Sequence, residues 1–220
     1  MKLLHRIYNL VFPPKCVLCG KVLTDSQTDL CHSCRCDTPE HPKTHIKLSH
    51  IADWTALWYY EENVRYSLLR FKFYNRRSYA QVYARLLAMK LLKEQVQFDV
   101  LTWVPISALR RFRRGYDQVE LIARALAGEL GITPCPTLKK HRNTVPQSTL
   151  RTAPERRANV LGAYKALNPQ NFSGKRVLLL DDILTTGATA SECARVLLTA
   201  GAKEVICATV AAASHQPKNQ

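Results

Sequence analysis

The stretch VLLLDDILTTGAT, residues 177–189, constrains this chain more than any other. Its four leading apolar residues, Val177, Leu178, Leu179 and Leu180, suit a strand buried on both faces. Asp181 and Asp182 follow, then the small residues Thr185, Thr186, Gly187, Ala188 and Thr189, which open a helix read over 190–200. Open α/β sheets bind ligands at such strand ends. The amides and hydroxyls of the turn can wrap a phosphate at a helix N-terminus, where the dipole favours negative charge. Gly187 permits a positive φ there. Two adjacent carboxylates are costly to bury without partners. A ribose 2′,3′-diol would supply donors, and Mg2+ would offset their charge. The stretch is neither a Walker loop nor GxGxxG. The plainer alternative is that the acids only cap the helix and bind its loop.

The rest of the chain supplies partners for that strand. Residues 54–60, 100–104 and 205–213 read as strands; residues from about 64, then 79–94 and 118–130, read as helices. Alternating strands and helices imply an α/β fold, a parallel sheet with right-handed crossovers flanked by helices.

Five of the eight cysteines crowd into residues 16–36. Cys16 and Cys19, then eleven intervening residues, then Cys31 and Cys34, form paired CxxC turns able to close a tetrahedron around structural Zn2+. Cys36 and His32 are spare ligands, Cys36 the substitute for Cys34. Neither CxxC opens a helix after a strand, which argues against a redox role. The surrounding residues have few aliphatics and need the metal to fold. Residues 1–14 place Leu3, Leu4, Ile7, Leu10 and Val11 on one helical face, broken by His5, Arg6 and Asn9, so an amphipathic helix is expected and not a signal peptide. With no membrane-spanning run, no membrane insertion and a cytoplasmic location are expected.

Thirty-two basic against 17 acidic residues give +15, a balance that favours anionic partners. Between residues 65 and 77, Arg65, Arg70, Lys72, Arg76 and Arg77 alternate with Tyr66, Phe71, Phe73 and Tyr74. Cations that neutralise phosphates beside aromatics that stack bases suit single-stranded DNA. An amphipathic helix with its aromatics in the core would show the same pattern.

Residues 177–189 closely resemble the signature of type I phosphoribosyltransferases. The resemblance implies that Asp181 and Asp182 orient the ribose, as the catalytic acids of the site. It implies that Thr185, Thr186, Gly187, Ala188 and Thr189 hold the 5′-phosphate of phosphoribosyl pyrophosphate, which brings Mg2+. It further implies a pyrophosphate loop at Pro105, Ser107 and Arg114 and a lid carrying Arg142, Gln147 and Arg157. Together with the paired CxxC, LLRFKFYNRR, VPISALRRFRRGYDQ and RNTVPQSTLRTAPERRANV, the signature resembles the ComF (ComFC) competence family over nearly the whole chain. That family combines a phosphoribosyltransferase-like domain with an N-terminal zinc ribbon and is associated with natural transformation. It implies single-stranded DNA at Arg70, Lys72, Arg76, Arg77, Arg110 and Arg111, and a DNA-uptake helicase or translocase or recombination proteins as partners. The expected divisions are a helix and zinc-ribbon module at 1–50, a connecting or hood region at 51–97, a phosphoribosyltransferase-like domain at 98–214 and a tail. An active phosphoribosyltransferase on an unidentified acceptor, and a sensor of ribosyl pyrophosphate, stand as the alternative functions.

Overall fold

The computed structural model describes residues 13–24, 27–44, 46–145 and 147–214. The helix expected over residues 1–14 lies, apart from Pro13 and Pro14, outside them, as does the tail. In chain order the helices are α1 His32–Asp37, α2 Glu62–Phe73, α3 Tyr79–Lys93, α4 Ala108–Arg114, α5 Gln118–Leu130, α6 Ala153–Val160 and α7 Ala188–Thr199. The strands are β1 Asp53–Tyr59, β2 Val100–Trp103, β3 Leu138–Lys140, β4 Tyr164–Ala166, β5 Arg176–Leu184 and β6 Glu204–Ala212.

Four strands form one sheet in the order β1-β6-β5-β2, every neighbouring pair parallel. β5 and β6 are central, so their apolar runs are covered on both faces. Strand parity then divides the core in two. Val177 and Leu179 join Cys193 and Leu197 of α7, Tyr164 of β4 and Phe172 on one face. Leu178 and Leu180 join Tyr83, Leu87, Ile122 and Leu126, from α3 and α5, on the other.

The flanking helices carry their own start and stop signals. Asp117 caps α5 by accepting from the amides of Val119 and Glu120, and Gly131 ends it at φ 67. Between those ends Ile122, Ala123, Leu126 and Ala127 form the buried stripe. β1 and α3 both come from residues 51–97: β1 pairs with β6, and α3 packs against α5. The division expected at residue 97 thus runs through the body of the fold. No helix among the described residues is long and apolar enough to cross a membrane.

Candidate functional site

The cysteine knuckle is built from a tight turn over residues 16–19 and the first turn of α1, whose N-cap is Cys31. Cys16, Cys19, Cys31 and Cys34 present sulfurs that all lie within 4.8 Å of one another, with Cys19 and Cys31 at 3.6 Å. Sulfurs at the corners of a tetrahedron of about 2.3 Å Zn–S bonds lie about 3.8 Å apart, so the four fit a zinc ion. Cys36 is exposed, its sulfur 3.8 Å from His32 Nε2 and outside the cluster, which leaves Cys34 as the fourth ligand. Burial raises the Cys16 thiol, yet the amides of Cys19, Cys31 and Leu18 outweigh it and bring the pKa down to about 7. The knuckle is welded to the body. Val17 and Leu18 are buried against α2 and α3, Ser67 Oγ donates to the Val17 carbonyl, and Arg70 donates to the Leu18 carbonyl.

β5 runs on past Leu180 and carries both acids, so parity sends the neighbours to opposite faces. Asp181 lines a cleft with Ile183, Leu184, Thr185, Thr186, Gly187, Ala188 and Thr189. Gly187 sits at φ 72 as the N-cap of α7, with no side chain capping the helix, so its first amides face the turn. A Cβ on Gly187 would come within 2.8 Å of the Leu48 side chain, so the segment leading from the knuckle to β1 closes one wall of the turn.

Asp182 points the other way. Lys72 Nζ of α2 lies 2.9 Å from its Oδ2, and Gln118 Nε2 of α5 donates to the same oxygen at 2.9 Å. The two acids therefore titrate apart. Burial and the charge of Asp182 push Asp181 up to about 8, relieved only in part by the Asp182 amide that it accepts at 2.8 Å. Burial works against Asp182 as well, but Lys72 and Gln118 outweigh it and hold its pKa below the ordinary carboxylate value.

The lid sits down on the turn. Gln147 lines the cleft, and its Nε2 lies 3.4 Å from Thr189 Oγ1 and from the Arg156 carbonyl. Gln147 thus narrows the cleft beside Thr189. Gln147 Oε1 and Thr144 Oγ1 are buried without hydrogen-bond partners, so the closed lid leaves polar atoms unsatisfied. Arg142 is spent inside the lid on the carbonyls of Asn159 and Leu161, and Arg157 is exposed.

The loop after β2 is held from beneath: Asp117 Oδ2 accepts from Ile106 N at 3.0 Å, and the buried Ser107 caps α4. Pro105 lies in the same loop, while Arg114 donates to Gln118 and stacks 5.4 Å from the Phe73 ring centroid, away from the cleft lining. The remaining cations divide into inward and outward groups. Arg70 and Lys72 are taken by the knuckle and Asp182, and Arg110 donates to the Thr144 carbonyl at 2.7 Å. Arg111 pairs with Glu120, Arg77 lies over Tyr116 at 4.8 Å, and Arg76 borders a groove beside the knuckle.

One cation escaped the sequence reading. Lys140, at the end of β3, is lowered to about 8 by burial and by Arg110, while Asp181 acts on it from the other side. A three-residue strand is too short to show its parity in sequence, and nothing in the motif points from Lys140 to Asp181. Leu48 escaped likewise, because its contact with Gly187 exists only after folding.

Comparison with known proteins agrees with the two halves of this description. Residues 113–220 match the model of the phosphoribosyl transferase domain, and residues 7–45 match that of the double zinc ribbon domain. The chain is 30% identical to Competence protein F of Haemophilus influenzae, over 87% of this chain and 82% of that protein. It is 31% identical to Competence protein ComFC of Streptococcus pneumoniae, over 81% and 74% respectively. It is 34% identical to DNA utilization protein YhgH of Salmonella typhimurium, over 61% of this chain and 60% of that one. Among solved structures it is similar, at a TM-score of 0.43 and 24% identity, to a glutamine phosphoribosylpyrophosphate amidotransferase from B. subtilis, over 64% of this chain and 30% of that one. The likeness to the two competence proteins extends over most of both chains and, with the two domain matches, establishes that the chain belongs to the ComF competence family.

Proposed function

We propose that this protein handles single-stranded DNA during DNA uptake in the cytoplasm, and that it binds phosphoribosyl pyrophosphate or a close ribose phosphate in the cleft at the end of β5. Relatives named for competence and DNA utilization support the first half. One observation carries the second. A buried carboxyl group, Asp181, faces a turn of free amides and hydroxyls headed by a left-handed Gly187. Such a turn is matched to a phosphate, and the acid beside it to a sugar hydroxyl.

The surroundings favour an anionic ligand. Lys140 is crowded by Arg110 and lies in the field of Asp181, and both cations are depressed, burial being the main cause. A pyrophosphate group would relieve that crowding. Mg2+, arriving on the ligand's own phosphates, would find Asp181 as the available carboxylate, since Lys72 and Gln118 occupy Asp182. Calorimetric titration with phosphoribosyl pyrophosphate and Mg2+ tests the site without any assumption about a reaction. We expect saturable binding in the parent and at least a tenfold loss in Asp181→Ala. No heat in either protein would remove the reading.

The crowded cations give the transferase alternative an observation of its own, because they would stabilise a departing pyrophosphate. Its test is release of pyrophosphate on addition of candidate acceptors. A DNA-uptake translocase remains the proposed protein partner, on the strength of family membership.

A further inference from the structure

The basic-aromatic stretch of α2 allowed two readings in sequence, and folding divides it between them. Phe71 is fully buried, whereas Phe73 and Tyr74 are 65% and 71% exposed. The loop that follows, between α2 and α3, joins two surfaces. Toward the end of α4, Arg114 stacks 5.4 Å from the Phe73 ring centroid, and Arg77 lies 4.8 Å from that of Tyr116. Asn75, in the left-handed region at φ 52, accepts from Arg77 Nε at 2.9 Å and fixes the shape of the loop. Toward the zinc knuckle, Arg76, Ser78 and Tyr79 line a groove of about 590 Å³ together with Lys15, Cys19 and Leu23. That volume lies in the range of sites that hold a ligand the size of a nucleotide.

The charge on this surface has one sign. Residues 63–93 and 100–116 contain no Asp or Glu. Among the described residues, Lys15, Arg76 and Arg77 have no acidic partner. Asp29, the one acid among the described residues of the groove, is held by Arg85. Adjacent exposed rings flanked by unpaired cations mark an interaction surface, and ring faces are the common means of stacking unpaired bases. A duplex keeps its base faces stacked within itself and would meet only the cations. The combination therefore fits a single strand.

We infer that single-stranded DNA lies across the α2–α3 loop, with bases stacked on Phe73 and Tyr74, phosphates on Arg76 and Arg77, and one nucleotide turned into the groove between Tyr79 and Lys15. The inference rests on the strand-handling half of the proposed function and gives it a place. The cleft at the end of β5 takes no part, since the cleft and the groove share no lining residue among those described.

The test uses the full chain with bound zinc and a labelled single strand of about 12 nucleotides, within the site sizes usual for such surfaces, followed by anisotropy. Arg76→Ala with Arg77→Ala should weaken binding about tenfold. It should also lower the slope of log affinity against log salt by about 1.4, the share of two phosphates on a single strand. Lys139→Ser with Lys165→Ser takes the same charge from exposed positions on the β3–β4 hairpin and should cost less than about twofold. Tyr74→Leu should weaken binding at least about fivefold, the loss of one stacked base, and Tyr74→Trp should stay within about twofold of the parent. Equal losses from the two charge pairs overturn the inference, and so does a leucine variant that binds like the parent.

Photocross-linking tests the groove. The same strand carrying 5-iododeoxyuridine in place of thymidine, followed by peptide mapping, should mark Tyr74 and Tyr79. Adducts that leave Tyr79 unmarked overturn the groove's part and assign it to another occupant, a protein segment. Adducts on residues 185–189 overturn the separation of strand and cleft. A parent that binds no single strand even at low salt overturns the inference and the strand-handling reading together. A parent that binds, with the loop variants unchanged, overturns the inference alone.

Discussion

The cysteine knuckle and the acid-tipped cleft are both made from short, dense motifs, yet they fold in opposite senses. In the knuckle two turns converge, and four sulfurs end within 4.8 Å of one another. In the cleft two adjacent residues diverge, because a strand sends Asp181 and Asp182 to opposite faces. Convergence makes a closed site whose groups are all consumed by one ion. Divergence makes an open site, in which one acid is consumed by the protein and the other faces a ligand. Removing a group from the first should therefore cost stability, and removing one from the second should change binding or titration.

Taking zinc from the knuckle should have the largest effect. The metal holds Val17 and Leu18 in the core against α2, and the same helix carries Lys72 to Asp182. We expect Cys31→Ser, or dialysis against a chelator, to cost several kcal/mol and lower the melting midpoint by about 10 °C or more. Scanning calorimetry alongside metal analysis would show it. A metal-free protein that melts with the parent would erase the contrast between the two sites.

The same contrast sets how far the sequence could be read. Ligand spacing is local, so Cys16, Cys19, Cys31 and Cys34 could be named from their positions alone, and the strand–turn–helix at 177–189 likewise. Buried strands and amphipathic helices were legible because their hydrophobic periodicity announces them. Partnerships across the sheet were not. Nothing in the order of residues brings Lys72 to Asp182, Gln147 to Thr189 or Leu48 to Gly187. These contacts depend on β1 closing against β6 and on a lid that folds back over α7. Residue type told that Arg70, Lys72 and Arg110 are cations, but only folding decides that they face inward.

Next in size comes the ion pair at Asp182. Both side chains are largely buried, Lys72 at 18% and Asp182 at 10% exposure, so removing one partner strands the other's charge. We expect Lys72→Ala to cost about 3 kcal/mol in urea unfolding. Lys72→Met, which keeps the stem and loses the charge, should recover little of it, because the stranded carboxylate is the cause. Asp181→Asn should not show such a loss at neutral pH, since no cation among the described residues is bonded to Asp181. Equal costs at the two acids would mean that they share one environment after all.

The titration of Asp181 sharpens the comparison further. Its pKa in the fold is about 8 against 3.8 for the ordinary side chain. The folded protein thus holds a proton on this group that the unfolded chain has released, and the stability it contributes is full below pH 3.8 and lost as pH rises through 8. Asp182 behaves conversely. Its contribution is present above 3.8 and is lost at more acid pH, so it does not change across the neutral range. The difference in unfolding free energy between the parent and Asp181→Asn should swing toward the variant as pH rises from about 4 to about 8 and level off above that. Taking the difference cancels the groups that titrate there without facing Asp181; Lys140, on which Asp181 acts, is not one of them. A flat difference would place Asp181 in contact with a cation or with solvent.

The smallest effect should come from the lid, where the open site is presently closed. Gln147 lies over the turn at the expense of its own buried, unpartnered Oε1. A phosphate that displaces Gln147 from Thr189 has the free energy that seats the lid subtracted from its affinity. That seating is shallow, because two 3.4 Å contacts from Nε2 are set against one unsatisfied oxygen on the same amide. Gln147→Ala should therefore bind ribose 5-phosphate about two- to threefold more tightly than the parent, read by calorimetry at constant salt. Weaker binding in the variant would show that Gln147 belongs to the bound state, closing over the phosphate instead of standing in for it.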